Sequence, residues 1–143
     1  MPVRTGDAEW NGTLQDGKGT VRLGSGAFEG DYSFGTRFGE DPGTNPEELI
    51  AAAHAGCYSM ALSAGLGSAG YAPESIRTQA KVHIDPRDAG GFAITRIELA
   101  TEAHVHSIGD EQFQQIAEDS KTSCPVSGAL AAVPIQLTAT LIS

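Results

Sequence analysis

The order of patterns along this 143-residue chain predicts an α+β fold. Three observations carry that expectation. Short strand-like runs broken by glycine occur near the N-terminus, a long stretch without charge opens on a helix start, and a later period-two alternation gives way to helical spacing and a closing apolar run. The length is close to that of one domain, so residues 1–143 are expected to form a single domain.

Taken in order, residues 8–38 hold the runs Thr20-Val21-Arg22-Leu23, Ala27-Phe28 and Tyr32-Ser33-Phe34, which suggest a small meander. The loop Gly39 to Thr44 leads into Asn45-Pro46-Glu47-Glu48, where Asn45 suits the N-cap, Pro46 the first helical position and Glu48 the capping-box partner. This helix should run to about Ala69, although Gly56, Gly65 and Gly67 each weaken it. Ile76, Ala80, Val82 and Ile84 then alternate with Arg77, Gln79, Lys81 and His83, as in a strand with one buried face. After a turn at Pro86 to Gly91, Phe92 and Ile94 lie in one phase and Ile97, Leu99, Ala103 and Val105 in the other. A long hairpin with a bulge near Thr95 or Arg96 follows from that change of phase. Asp110 to Ser123 carries Phe113, Ile116 and Ala117 at helical spacing, Cys124-Pro125 marks a break before a short helix to about Ala132, and Ile135, Leu137 and Leu141 close with a strand.

The formal charge of -9 opposes association with nucleic acid or an anionic membrane, both of which need basic patches. Small neutral or mildly polar ligands are easier partners. Residues 1–8 contain no basic segment followed by an apolar stretch, so the expected location is cytoplasmic. Leu49 to Pro73 contains no Asp, Glu, Lys or Arg and has the length of a membrane span. Its residues are mostly Ala, Gly and Ser, with His54 among them, so its transfer free energy is too small for that role. A helix buried inside protein is the better expectation.

The two cysteines, Cys57 and Cys124, are too far apart in sequence for a Cys-x-x-Cys redox or zinc motif. Either they are inert core thiols or they do chemistry. Cys57 lies about 15 Å along its helix from the N-terminus, beyond the reach of the helix dipole. To react as a thiolate it needs a cation from elsewhere. Arg37, flanked by aromatics and glycine in Phe34-Gly35-Thr36-Arg37-Phe38, is a candidate, the alternative being a solvated loop arginine. Cys124 precedes Pro125 at a helix N-cap, where unpaired amides favour a thiolate. Local physics therefore leaves open which cysteine attacks.

Four blocks carry a resemblance. Phe34-Gly35-Thr36-Arg37-Phe38, the run from Gly43-Thr44-Asn45-Pro46-Glu47 to Gly56-Cys57-Tyr58-Ser59-Met60-Ala61-Leu62, Gly91-Phe92-Ala93-Ile94-Thr95 and Cys124-Pro125-Val126-Ser127 resemble the osmotically inducible protein C (OsmC) family, in the family's order. The likeness covers essentially the whole chain, and His54-Ala55-Gly56-Cys57 looks like the branch that gives the family its name rather than that of the organic hydroperoxide resistance proteins. The resemblance implies an intertwined homodimer with long central helices packed between antiparallel-rich sheets. It also implies a thiol peroxidase that reduces organic hydroperoxides, and hydrogen peroxide less efficiently. In that pattern Cys57 matches the attacking cysteine and Cys124 the resolving one. Arg37 matches the arginine that stabilises the thiolate, and Glu47 the acid that holds the arginine. A dithiol, of the dihydrolipoyl type in relatives, would reopen the Cys57–Cys124 disulfide.

Helix geometry constrains that assignment. Glu47 and Cys57 are ten residues apart on one predicted helix, about 15 Å along its axis, so they cannot serve one reaction centre within a single chain. If both serve one centre, as the resemblance implies, that centre is expected to be built from Arg37 and Glu47 of one chain and Cys57 of another. Ala53, Cys57, Ala61 and Gly65 form a small-residue stripe that would permit close helix approach, with intrachain packing as the alternative. His54 shares the helix face of Cys57, where a packed histidine is the first expectation and a base or a member of a metal pair the alternatives. His104 and His106 suit a surface strand better than a metal pair, and neither a metal nor a cofactor is expected. Two other classes compete with the peroxidase: a non-enzymatic stress or ligand-binding protein with inert thiols, and a Cys-His hydrolase dependent on His54.

Overall fold

The computed structural model describes residues 1–142, and among them the chain is mixed α+β with two three-stranded sheets and four helices. Its contacts group into two compact units, Met1–Leu49 and the residues from Ile50 onward.

In the first unit, β1 (Gly6–Asn11), β2 (Lys18–Leu23) and β3 (Glu29–Tyr32) form an antiparallel meander in sequence order. Trp10 and Tyr32 face each other across Gly19, their ring centroids 5.3 Å apart. A Cβ on Gly19 would stand 2.5 Å from the Tyr32 ring and 2.6 Å from that of Trp10, so the aromatic pair requires glycine beneath it. The third strand starts later than the run at Ala27-Phe28 suggested, and Phe34 opens a helix instead of ending a strand. That helix, α1 (Phe34–Phe38), starts because Ser33 and Thr36 satisfy each other reciprocally. Thr36 N–H donates to Ser33 Oγ at 3.2 Å, and Ser33 N–H donates to Thr36 Oγ1 at 2.8 Å.

Asn45 ties this segment to the next helix. Its Oδ1 accepts from the Glu48 amide at 2.8 Å, as an N-cap should, and its Nδ2 donates to the Thr36 carbonyl at 3.0 Å. Gly43 makes the approach possible, since its φ of +149° suits glycine and a Cβ there would meet Thr36 Cγ2 at 2.7 Å.

Helix α2 (Pro46–Ser68) begins in the first unit and continues into the second. His54, Tyr58, Leu62 and Leu66 recur every four residues along it, and all four are fully buried. They form its core stripe, and they lie beside the Ala53–Cys57–Ala61–Gly65 row rather than within it. Tyr58 donates to the Ala117 carbonyl at 2.9 Å, and burial pushes its phenol far up, so it remains a donor.

The second sheet has the order β4-β5-β6, with β4 (Ser75–Pro86) antiparallel and β6 (Ile135–Ile142) parallel to the central β5 (Phe92–His104). Partners pass from His83↔Arg96 to Ile84↔Ile94, so Thr95 is the extra residue of a bulge at the predicted place. Registered rows such as Ala80, Leu99 and Leu137, or Val82, Ile97 and Ile135, stack apolar side chains on one face. One polar file enters that face: Ser59 Oγ lies 2.8 Å from Thr78 Oγ1, which lies 2.9 Å from Thr101 Oγ1. The Thr101 hydroxyl donates onward to the Arg77 carbonyl, so the file ends satisfied. Helix α3 (Asp110–Ser123) contributes Phe113 and Ala117 to the core, and α4 (Pro125–Ala129) stops short of the predicted Ala132.

Candidate active site

The first unit holds the predicted arginine and its acid. Arg37 sits on α1 and Glu47 in the first turn of α2, and the capping bonds of Ser33, Thr36 and Asn45 set one against the other. Arg37 Nε donates to Glu47 Oε1 at 2.9 Å and Nη2 to Oε2 at 3.0 Å, a bidentate fork. The Glu47 side chain is 9% exposed and that of Arg37 36%. Hydrogen bonding to Glu47 drives the guanidinium still further from deprotonation, so its charge is permanent. The guanidinium also lies 5.2 Å from the centroid of the Phe38 ring and borders a pocket of about 390 Å³ with Trp10, Leu14, Phe34 and Phe38. Arg37 therefore sits on helix α1 and is held by Glu47, where the alternative expectation was a solvated loop arginine.

The second unit holds the sulfur atoms. Cys57 on α2 and Cys124 at the N-cap of α4 lie with their sulfurs 3.0 Å apart, both as free thiols. They differ in access. Cys124 is buried at 1% exposure, while Cys57 opens onto a groove of about 830 Å³ floored by Ala61, Ala64 and Gly65 of α2 and walled by Ile116 of α3.

They also differ in where charge is favoured. Burial raises the Cys57 thiol, and a hydrogen bond to Cys124 adds to the rise against the opposing Val126 amide. Burial also works against charge on Cys124. The neighbouring Cys57 thiol, the Ser127 amide and hydroxyl and the Val126 amide offset it, and the Cys124 thiol falls below its ordinary value. No side-chain bond of capping geometry forms at Cys124, so these groups act by proximity to the helix start. Of the two thiols, the surroundings of Cys124 favour charge more than those of Cys57.

His54 does not reach for either sulfur. Its Nε2 lies 2.7 Å from Ser127 Oγ, both residues are buried, and its Nδ1 has no partner among the described residues. That arrangement removes the general base a Cys-His hydrolase would need beside Cys57. Burial lowers the His54 pKa, so the ring is neutral. Sequence reasoning passed over Ser127, although its place three residues after Cys124, where an N-cap side chain meets the helix start, was a usable signal.

The surface histidines have local partners. His106 lies beyond the end of β5 and pairs with Glu74 at 2.8 Å, and His83 pairs with Glu98 at 2.5 Å. Among the described residues no group of three or more His, Cys, Asp or Glu is gathered as for a metal ion.

Two free thiols with their sulfurs 3.0 Å apart, one open and one buried at a helix start, thus sit together on an α+β scaffold. Residues 39–138 match the family described as OsmC-like protein. The chain is 51% identical over 130 residues to the peroxiredoxin OsmC of Escherichia coli (strain K12) and equally to that of Shigella flexneri, in each case over 90% of both chains. Its structure is similar to that of an organic hydroperoxide resistance protein from Elizabethkingia anophelis, with a TM-score of 0.74, 27% identity and 99% of each chain covered. The chain belongs to the OsmC family.

Proposed function

We propose that the protein is a thiol peroxidase in which Cys57 attacks an organic hydroperoxide and Cys124 closes a disulfide with it. The observation that carries this reading is the sulfur pair at 3.0 Å, of which only Cys57 opens onto the groove. Charge alone would favour Cys124 as nucleophile, but a buried sulfur has no path to a peroxide, and access decides. Relatives named peroxiredoxin and organic hydroperoxide resistance protein support the same chemistry.

In the first step the Cys57 thiolate forms an S–O bond as the O–O bond breaks. The alkoxide leaves with a proton as alcohol, and Cys57 becomes a sulfenic acid. In the second, the Cys124 thiolate attacks that sulfur, the S–S bond forms, the S–O bond breaks, and hydroxide leaves as water after taking a proton. An external dithiol, of the dihydrolipoyl type, reopens the disulfide by exchange.

Cys57 needs a cation to become the thiolate, and Arg37 is the one proposed, supplied by a second copy of the chain. Ten helical residues separate Glu47, which holds Arg37, from Cys57 of the same helix, about 15 Å of rise. A homodimer with shared sites is further supported by two features of the single chain. Every hydrophobic residue buried among the described residues lies beyond Leu49, so the first unit buries none of its own. Helix α2 is long and apolar enough to cross a membrane, yet only 22% of that apolar window is buried, and Met60 is 77% exposed. Its His54–Tyr58–Leu62–Leu66 stripe marks it as a core helix whose remaining face requires a cover, which a second α2 would supply. The apolar pocket beside Arg37 would receive the organic group of the peroxide and favour it over hydrogen peroxide. Reduced thiols suit a cytoplasmic setting.

In a Cys124→Ser variant dimedone should trap a sulfenic acid on Cys57 after one equivalent of cumene hydroperoxide. Inert thiols under those conditions would return the protein to the non-enzymatic class. Mixing Arg37→Ala and Cys57→Ser proteins should restore part of the activity as subunits exchange. No recovery despite demonstrated exchange would remove the shared site.

A further inference from the structure

The sulfurs of Cys57 and Cys124 are also a pair of soft ligand atoms, 3.0 Å apart and each a free thiol. What such a pair can hold depends on how many further ligands an atom needs and how far apart it keeps its sulfurs. Tetrahedral zinc takes four ligands, and with Zn–S bonds of about 2.3 Å it spreads two sulfurs to about 3.8 Å. No third His, Cys, Asp or Glu is gathered with the pair among the described residues, and His54 is engaged with Ser127 at 2.7 Å. A linear ion such as mercury(II) needs only two sulfurs but holds them on opposite sides of itself, two full bond lengths apart. A trivalent arsenic that already carries one carbon substituent also needs only two. Its pyramidal bonds, at angles not far from a right angle, keep those two sulfurs close together. Of the three centres it asks for the separation nearest to the one present.

We propose that the reduced Cys57 and Cys124 form a chelating site for monosubstituted trivalent arsenic compounds, entered through the groove between α2 and α3. In water such a compound is a dihydroxyarsine. Its two As–O bonds break, two As–S bonds form, and the thiol hydrogens leave with the hydroxides as two molecules of water. Arsenic stays trivalent and no oxidant or reductant takes part. The site therefore needs only the reduced pair, and it goes beyond the peroxide chemistry proposed above, which it would block by occupying both sulfurs.

Access sets the order in which the two bonds form. Cys57 opens onto the groove of about 830 Å³, whose lining by Met60 and Ala64 of α2 and Ile116 of α3 leaves room for an apolar substituent. Cys124 is 1% exposed, so an incoming arsenic meets Cys57 first. Ser123 and Pro125, the neighbours of Cys124 on either side, line the same groove, so arsenic held on Cys57 stands on the side from which the second sulfur is reached. The second bond is then an intramolecular event, and closing it raises affinity by about 10²–10⁴ over a single sulfur.

The probe is phenylarsine oxide, added to protein that has been reduced and freed of reductant. Mass spectrometry should show one phenylarsenic group per chain, and N-ethylmaleimide should then label neither cysteine. The adduct should withstand 2-mercaptoethanol and be released by 2,3-dimercaptopropanol, which offers two thiols of its own. Binding favours the folded pair over the unfolded chain, where the cysteines are 67 positions apart, so the Tm should rise. Cys57→Ser and Cys124→Ser should each bind at least about 100-fold more weakly, because one arm is lost. Cys124→Ser, which keeps the open sulfur, should still capture the probe quickly, and Cys57→Ser slowly, with circular dichroism showing both to be folded. Two phenylarsenic groups per chain, undiminished affinity in either variant, or faster capture by Cys57→Ser than by Cys124→Ser would overturn the inference. So would equal binding by protein whose cysteines have first been joined as a disulfide.

Discussion

Replacing Glu47 by Gln isolates the anchoring of Arg37 from the general preference for acid at a helix start. Two charge-assisted bonds, at 2.9 and 3.0 Å, join these side chains. Gln can accept only one of them, and its amide N–H groups then face guanidinium N–H groups at a site where Glu47 is 9% exposed. A lost charge-assisted bond counts for roughly 1.5–3 kcal/mol. Because Arg37 is 36% exposed, solvent screening puts the expected loss near the lower end, about 1.5–2 kcal/mol. For a chain of this size that corresponds to a fall in Tm of about 4–8 °C, measured by circular dichroism. Glu48→Gln is the control, because Glu48 shares the first turn and its dipole but is exposed and makes no ion pair with Arg37. Its cost should stay within about 0.5 kcal/mol. Equal melting of the two variants would mean that Glu47 is only a first-turn carboxylate, and that the fork does not hold Arg37.

Three further outcomes follow from the packing. Burial lowers the His54 pKa, so between that value and the free value near 6.5 the unfolded chain binds more protons than the native one. Stability is therefore complete above that window and lost as pH falls through it, by up to about 1.4 kcal/mol per pH unit. The difference in urea midpoint between pH 7 and pH 5 should shrink in His54→Gln. Tyr58→Phe should cost about 1 kcal/mol in urea unfolding, because the Ala117 carbonyl it served still has its helical partner; a cost below about 0.3 kcal/mol would deny the bond at 2.9 Å a stabilising role. Gly67→Ala should stabilise by about 0.5–1 kcal/mol through helix propensity, since nothing lies within 4 Å of its added Cβ. Gly65→Ala should lose that gain, because its Cβ would meet Ile116 Cγ2 at 2.9 Å. Equal Tm changes for the two would contradict the packing of α2 on α3.

Elements with a strong local period were legible in the chain. The alternation from Ile76, the change of phase at Thr95 and the Asn45-Pro46 start of α2 each reflect short-range chemistry, and each stands within a residue or two of its expected place. Helix α1 was missed because its signal is a reciprocal pair of hydroxyl bonds between Ser33 and Thr36, easily overridden in a reading by aromatics that suggest a strand. His54 was assigned to the face of Cys57, when its hydrogen-bonding partner, Ser127, comes from a segment seventy-three positions away.

By itself the sequence determined the α+β order, the family through its four blocks, and the residue types of the candidate centre: Cys57, Cys124, Arg37 and Glu47. The element order is a property of local spacing and hydrogen bonding, and the centre's residues are what the resemblance of those blocks implies. The tertiary structure decided which cysteine is open and which is buried, placed their sulfurs 3.0 Å apart, and set His54 behind Ser127 instead of beside Cys57. Access and electrostatic environment depend on what packs around an atom from distant parts of the chain, and local pattern carries no record of that packing.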